Sequence, residues 1–137
     1  MDVKFQFEDI GNSFLGHIYR PVAQVTLQSP KILTKSVLIW MIVDTGADYT
    51  IIPNHFSEKL RISLEKDCVK DTTYGVGGNQ VVYFYKDKIK ARIGDLERKI
   101  PIAFFANNEV PALLGRLGFL ETFDTTFLKN HITVFKE

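Results

Sequence analysis

The chain has 137 residues, enough for one domain that buries roughly two-thirds of the surface its unfolded form would expose. Its 17 basic and 16 acidic residues leave a formal charge of +1, which excludes a field strong enough to gather nucleic acid or an anionic membrane and favours a small or neutral partner. The lone cysteine, Cys68, excludes an intrachain disulfide and fits a reducing compartment such as the cytoplasm; with no histidine near it in sequence it reads as structural. In chain order, MDVKFQFEDI alternates Val3, Phe5 and Phe7 with polar residues and predicts a strand over 3–8 rather than a signal peptide. Short β-branched and aromatic runs bounded by turn residues predict further strands at 16–28, 36–43, 80–93 and 97–106. The longest apolar run, Val37 to Val43, falls far short of the roughly 18 residues that span a bilayer. PNHFSEKL predicts a helix with Pro53 in its first turn and Phe56 four residues before Leu60, and RLGFLETF predicts another, with Leu117, Leu120 and Phe123 at helical spacing around Gly118. TTFLKNHITVF closes the order as a hairpin with Lys129 and Asn130 at its turn, Asn130 being suited to the left-handed conformation. The expectation is a mainly β domain over residues 1–137, soluble and cytoplasmic, without repeats or linkers.

Chemistry concentrates where the strand SVLIWMIV delivers Asp44 to the edge of the core. Such a run reads as a strand covered on both faces, and a carboxylate at its end must be open to a cleft, paired or given donors. Thr45 offers a short hydroxyl, and Gly46 lets the chain turn sharply with its N–H near the carboxylate. Taken alone, Asp-Thr-Gly is also an ordinary turn after a strand. GVGG, residues 75–78, holds three glycines between strand-like flanks, as the tip of a long hairpin would; without a following Gly-Lys-Ser/Thr it does not read as a phosphate loop. His17, His55 and His131 lack metal-site spacing and read as surface or interface residues, and YKDKIKARIGDLERK mixes both signs as a solvated hairpin does.

Several motifs in one order give these pieces a context. Asp44, Thr45, Gly46, Ala47, Asp48, Tyr49, Thr50, Ile51 and Ile52 follow the Asp-Thr-Gly-Ala-Asp-x-Thr pattern with its aliphatic tail; Arg20 and Pro21 stand upstream; YGVGGNQVVYF stands where a Gly-rich flap belongs; Leu113, Leu114, Gly115 and Arg116 follow. The sequence resembles the retropepsin-like family, the aspartic proteases of retroviral type, over most of residues 16 to 123.

That resemblance implies a single-lobe acid-protease barrel with a flap, one or two short helices, no cofactor and no metal. Aspartic proteolysis needs two carboxylates close enough to share a proton. This chain carries one Asp-Thr-Gly, since FDTTF at Asp124 lacks the glycine, so the second carboxylate has to come from a second copy across a two-fold axis. The implied catalytic residues are Asp44, Thr45 and Gly46. Ala47, Asp48, Tyr49, Ile51, Val76, Gly77 and Gly78 are expected to line the cleft for a peptide or protein substrate, and Arg20, Asp48 and Arg116 to link the subunits of a homodimer that uses neither nucleic acid nor membrane. A catalytically silent dimer that binds peptides or holds an assembly together is the alternative. The residues ahead of Arg20, the long final hairpin and the loop QSPKILTK depart from the retroviral pattern, in which the chain ends interleave, and they predict an interface built differently. Tyr49 stands where an acidic residue is common, so substrate preference does not carry over.

Overall fold

The computed structural model describes residues 2–75 and 78–137. The strands are β1 (Val3–Gln6), β2 (Glu8–Ser13), β3 (Gly16–Arg20), β4 (Val22–Gln28), β5 (Val37–Val43), β6 (Ile51–Pro53), β7 (Cys68–Gly75), β8 (Gly78–Tyr85), β9 (Ile89–Ile93), β10 (Leu96–Ile100), β11 (Ala103–Phe105), β12 (Leu113–Leu114), β13 (Asp124–Leu128) and β14 (Ile132–Lys136). One short helix, α1 (Phe56–Lys59), and a 3-10 turn over Leu120–Thr122 complete the elements. The fold is mainly β and single-lobed, as the sequence pattern predicts.

Nine strands form the main sheet in the order β10-β9-β4-β5-β12-β6-β11-β8-β7; β1-β14-β13 form a second sheet, and β2-β3 stand as a separate hairpin. Alternation places the core. Val25 and Leu27 of β4, Met41 of β5, and Ile89, Ala91 and Ile93 of β9 point inward with Ile100, Phe104, Phe119 and Phe135. Full burial of each large apolar side chain contributes about 1.5–3 kcal/mol relative to exposure. Cys68 belongs to this cluster, and burial, with some help from Asp67, pushes its thiol up to about 11, as suits a structural cysteine.

Several predicted elements are divided in the structure, each for a local reason. The run 3–8 divides at Phe7, whose N–H donates to the carbonyl of His131 (2.9 Å). The run 16–28 breaks at Pro21 and 97–106 breaks before Pro101, where proline has no N–H for a ladder. The run 80–93 turns between Tyr85 and Ile89, where the Asp87 carboxylate accepts from the N–H of Lys88 (2.8 Å). Pro53 ends β6 instead of starting a helix, which shrinks to Phe56–Lys59. RLGFLETF makes only the 3-10 turn, because Gly118 adopts a φ of +70° that a helix does not contain.

In the last hairpin the left-handed residue is His131 (φ 65°), not Asn130. The ring of His131 stacks on Tyr19 at 4.1 Å with an interplanar angle of 19°, a contact that offsets the roughly 1–2 kcal/mol cost of the left-handed backbone. Among the described residues no helix is long and apolar enough to cross a membrane.

Candidate active site

β5 ends at Val43 with a buried face formed by Ile39, Met41 and Val43, so the next residue is carried to the margin of the core. Asp44 emerges there half-buried. Three backbone hydrogen bonds fix its position: Ile42 N–H donates to the Ala112 carbonyl (2.9 Å), Val43 N–H to that of Pro21 (2.9 Å) and Asp44 N–H to that of Leu114 (3.1 Å). The chain then turns back on itself. Gly46 N–H donates to the carboxylate oxygen Oδ1 of Asp44 (3.0 Å), and Ala47 N–H donates to the Asp44 carbonyl (3.2 Å). A Cβ at Gly46 would stand 3.3 Å from that same oxygen, so glycine suits the close approach.

The far side of the loop is laced to the segment after β12. Gly115 N–H donates to the buried hydroxyl of Thr50 (3.0 Å), Arg116 N–H to Ala47 (3.0 Å) and Leu117 N–H to Asp48 (2.9 Å). The Arg116 guanidinium also pairs with the Asp48 carboxylate, and both side chains remain largely exposed. The result is a carboxylate on a backbone loop with little freedom to move, braced from two strands.

A cleft of about 380 Å³ opens beside it, lined by Asp44, Gly46, Ala47, Asp48, Tyr49 and Ile51 from the loop and β6, with the β7–β8 hairpin opposite. A larger groove of about 630 Å³ lies between Lys4, Gln24, Arg92 and Glu97, away from Asp44, and its exposed polar wall offers no such held carboxylate. The smaller cleft is the better candidate because it joins an apolar wall to one positioned acid. Among the described residues no group of His, Cys, Asp or Glu is arranged to hold a metal ion.

A family model described as aspartyl protease matches residues 31–117. The chain belongs to that family. The family is of the retropepsin-like type, and the match spans the Asp44 loop, the β7–β8 hairpin and the Leu113–Arg116 segment. No curated protein matches the chain.

Of the family residues named from sequence, Asp44, Gly46, Ala47, Asp48, Tyr49, Ile51 and Gly78 all line the cleft. Thr45 is exposed and outside the lining, Val76 and Gly77 lie outside the described residues, and Arg20 lines a different groove, with Phe7, Trp40 and Pro111. Asp48 and Arg116 are brought together; Arg20 is not part of that pair within one subunit. Sequence reasoning placed Gly75 at the hairpin tip and Leu113 in the motif before Arg116 without assigning either to the cleft, and it missed Thr73, Tyr74, Gln80, Phe105 and Val110. Period-two alternation along β7 and β8 could have found Thr73 and Gln80. Nothing local marks Phe105, which reaches the cleft because β11 pairs with both β6 and β8.

Proposed function

We propose that the protein is a homodimeric aspartic endopeptidase in which the Asp44 residues of two copies form the catalytic pair. The observation that carries this reading is the Asp44 carboxylate itself, held by the Gly46 N–H at the end of an apolar strand and lining a cleft of about 380 Å³. A lone carboxylate cannot do the chemistry, and the chain offers no second Asp-Thr-Gly.

In the shared site one Asp44 is ionised and the other protonated. The ionised group takes a proton from a water molecule as the water oxygen bonds to the substrate carbonyl carbon, while the protonated group gives its proton to the carbonyl oxygen. The tetrahedral intermediate collapses with proton transfer to the leaving amine nitrogen, and the C–N bond breaks without any covalent enzyme intermediate. Gly46 keeps the carboxylates in register, and Thr45, on the exposed side of the loop, braces one loop against the other. Substrate lies extended between the loop and the β7–β8 hairpin, with Ala47, Asp48, Tyr49, Ile51 and Gly78 in contact. Arg116 holds Asp48 from its own subunit while Arg20 approaches from the partner.

The test is cleavage of a mixed peptide library from pH 4 to 7 by the wild type and by Asp44→Asn. Cleavage is expected in the wild type and absent from the variant, whose fold and dimer persist. Cleavage by Asp44→Asn at the wild-type rate would overturn the mechanism.

A further inference from the structure

The β2–β3 hairpin is built as a rigid projection. Its strands pair with each other and, among the described residues, with no third strand. Asp9 accepts from Gly11 N–H (2.9 Å) at a bulge, and at the tip Ser13 Oγ donates to the Gly16 carbonyl (2.8 Å) and accepts from Leu15 N–H (3.2 Å). His17 bridges Asp9 (2.6 Å) and Asn12 (2.8 Å). Its ring meets Tyr19, Tyr19 stacks on His131, and Phe7 contacts both His131 and Phe127, so the hairpin is aimed by the β13–β14 turn.

What this projection displays is apolar. Phe14 is 101% exposed and Leu15 is 93% exposed, with Ile10 and Ile18 partly exposed below them. At the root of the hairpin, where Phe7 meets Phe127, β13 is an edge strand whose outer side is unpaired among the described residues, and it adds partly exposed Phe127 and Leu128. Exposed apolar surface next to open strand edges marks an interaction site, and a hydrogen-bonded turn that holds a phenylalanine fully in water gains nothing unless that side chain is covered.

We propose that the β2–β3 hairpin is a dimerisation arm, and that a second copy of this chain covers the patch of Ile10, Phe14, Leu15, Ile18, Phe127 and Leu128 with the same patch of its own. The proposal rests on the reading of Asp44 as half of a shared pair. Arg20 ends the hairpin, and the next residue, Pro21, accepts from Val43 N–H directly before Asp44, so the root of the arm lies beside the axis on which two Asp44 would meet. An isologous contact of this kind is self-complementary by symmetry. Charge disfavours a lipid surface: residues 8–20 carry Glu8 and Asp9 against Arg20, a net of minus one with histidine neutral, where an anionic membrane selects basic residues.

The experiment is sedimentation equilibrium of the full chain over a dilution series, for the wild type and for the double variant Phe14→Ser, Leu15→Ser, with peptide cleavage measured on the same samples. The expected result is a dimer dissociation constant raised more than about tenfold, an unchanged thermal midpoint for the monomer, and cleavage that returns at high protein concentration because Asp44 is intact. A dimeric wild type with an unchanged constant in the variant overturns the arm and leaves the shared pair standing. A wild type that cleaves through Asp44 while monomeric at every concentration overturns the shared pair. If the variant fails to fold, amide exchange of the wild type decides: residues 14–18 and 124–128 are expected to be protected above the dissociation constant and to lose protection below it, and protection that does not depend on concentration overturns the arm. Binding to phosphatidylserine-containing vesicles that competes with dimerisation would assign the tip to a membrane and overturn it as well.

Discussion

Gly115 has no side chain because the Tyr49 carbonyl fills the place one would need. A Cβ there would stand 2.2 Å from that oxygen and 2.9 Å from the N of Thr50, both of them backbone atoms that cannot swing aside. Gly115→Ala is therefore expected to cost at least about 1–3 kcal/mol in a denaturant titration and to lower cleavage more than it lowers stability, since the displaced atoms belong to the Asp44 loop. The neighbouring Arg116–Asp48 pair behaves differently. Both side chains are exposed, 49% and 69%, so Arg116→Ala is expected to cost the isolated subunit less than about 1 kcal/mol. Arg20→Ala is expected to act on association instead, raising the dimer dissociation constant more than about tenfold by sedimentation; an unchanged constant would remove Arg20 from the interface. At this scale the sequence was informative wherever chemistry and backbone agree: a glycine two residues after a carboxylate lets the backbone N–H turn back toward it, and Gly46 does so. It misled at Asn130, because the left-handed site was awarded to His131 by a stacking partner, Tyr19, more than a hundred residues away.

Elements add effects that no single residue carries. The loop after β4 is tied to the turn before β7 by Lys31 Nζ and Asp67 Oδ1 (2.9 Å), while Asp67 Oδ2 accepts from Ser63 N–H (2.7 Å). The Ser63 N–H and then Lys31 hold the Asp67 carboxyl below its ordinary 3.8, and the Asp67 hydrogen bond holds Lys31 above its ordinary 10.5. The contribution of Asp67 is thus fully present above pH 3.8 and lost as pH falls through its lower folded value; that of Lys31 is fully present below pH 10.5 and lost as pH rises through its higher one. Thermal melts of Asp67→Asn are expected to lack the acid-side decline that this carboxylate adds to the wild type. In the β7–β8 hairpin, Tyr74 stands 77% exposed yet lines the cleft, so Tyr74→Ala is expected to raise KM with little change in thermal midpoint. Strands such as β5 and β9 were readable because their apolar residues recur over several positions, whereas β7 (Cys68–Gly75) and most of β2 (Glu8–Ser13) were not, since their largely exposed, polar residues carry no apolar pattern. β6, with three residues, and β12, with two, were not, since so short a run has no period to detect.

For the whole molecule, the shared-pair reading makes activity a property of concentration. Specific activity is expected to fall on dilution below the dimer dissociation constant, and its pH profile to be bell-shaped, since only the singly protonated pair reacts. A specific activity independent of dilution over several decades would contradict this. The mainly β single-lobe architecture was legible because motif order, alternation and turn residues all pointed the same way. The manner of pairing was not. The family match, residues 31–117, stops short of both the β2–β3 hairpin and β13, so these segments lie outside the matched residues. β1 pairs with β14 of its own chain and remains an edge strand of that sheet.

The two residues of β12 also set a timetable. Leu113 lies parallel to Ile42 of β5 and antiparallel to Ile51 of β6, and the Asp44 N–H has its acceptor only in Leu114. Translation delivers the reactive loop long before it delivers these partners, and contacts so distant along the chain form slowly, on the scale of about milliseconds to seconds. β4 and β5, joined locally, are free to pair at once. A chain still on the ribosome therefore holds Asp44 on an unbraced loop until Leu113 and Leu114 arrive, and the same two residues join β5 to β6 and so make one sheet of its two halves.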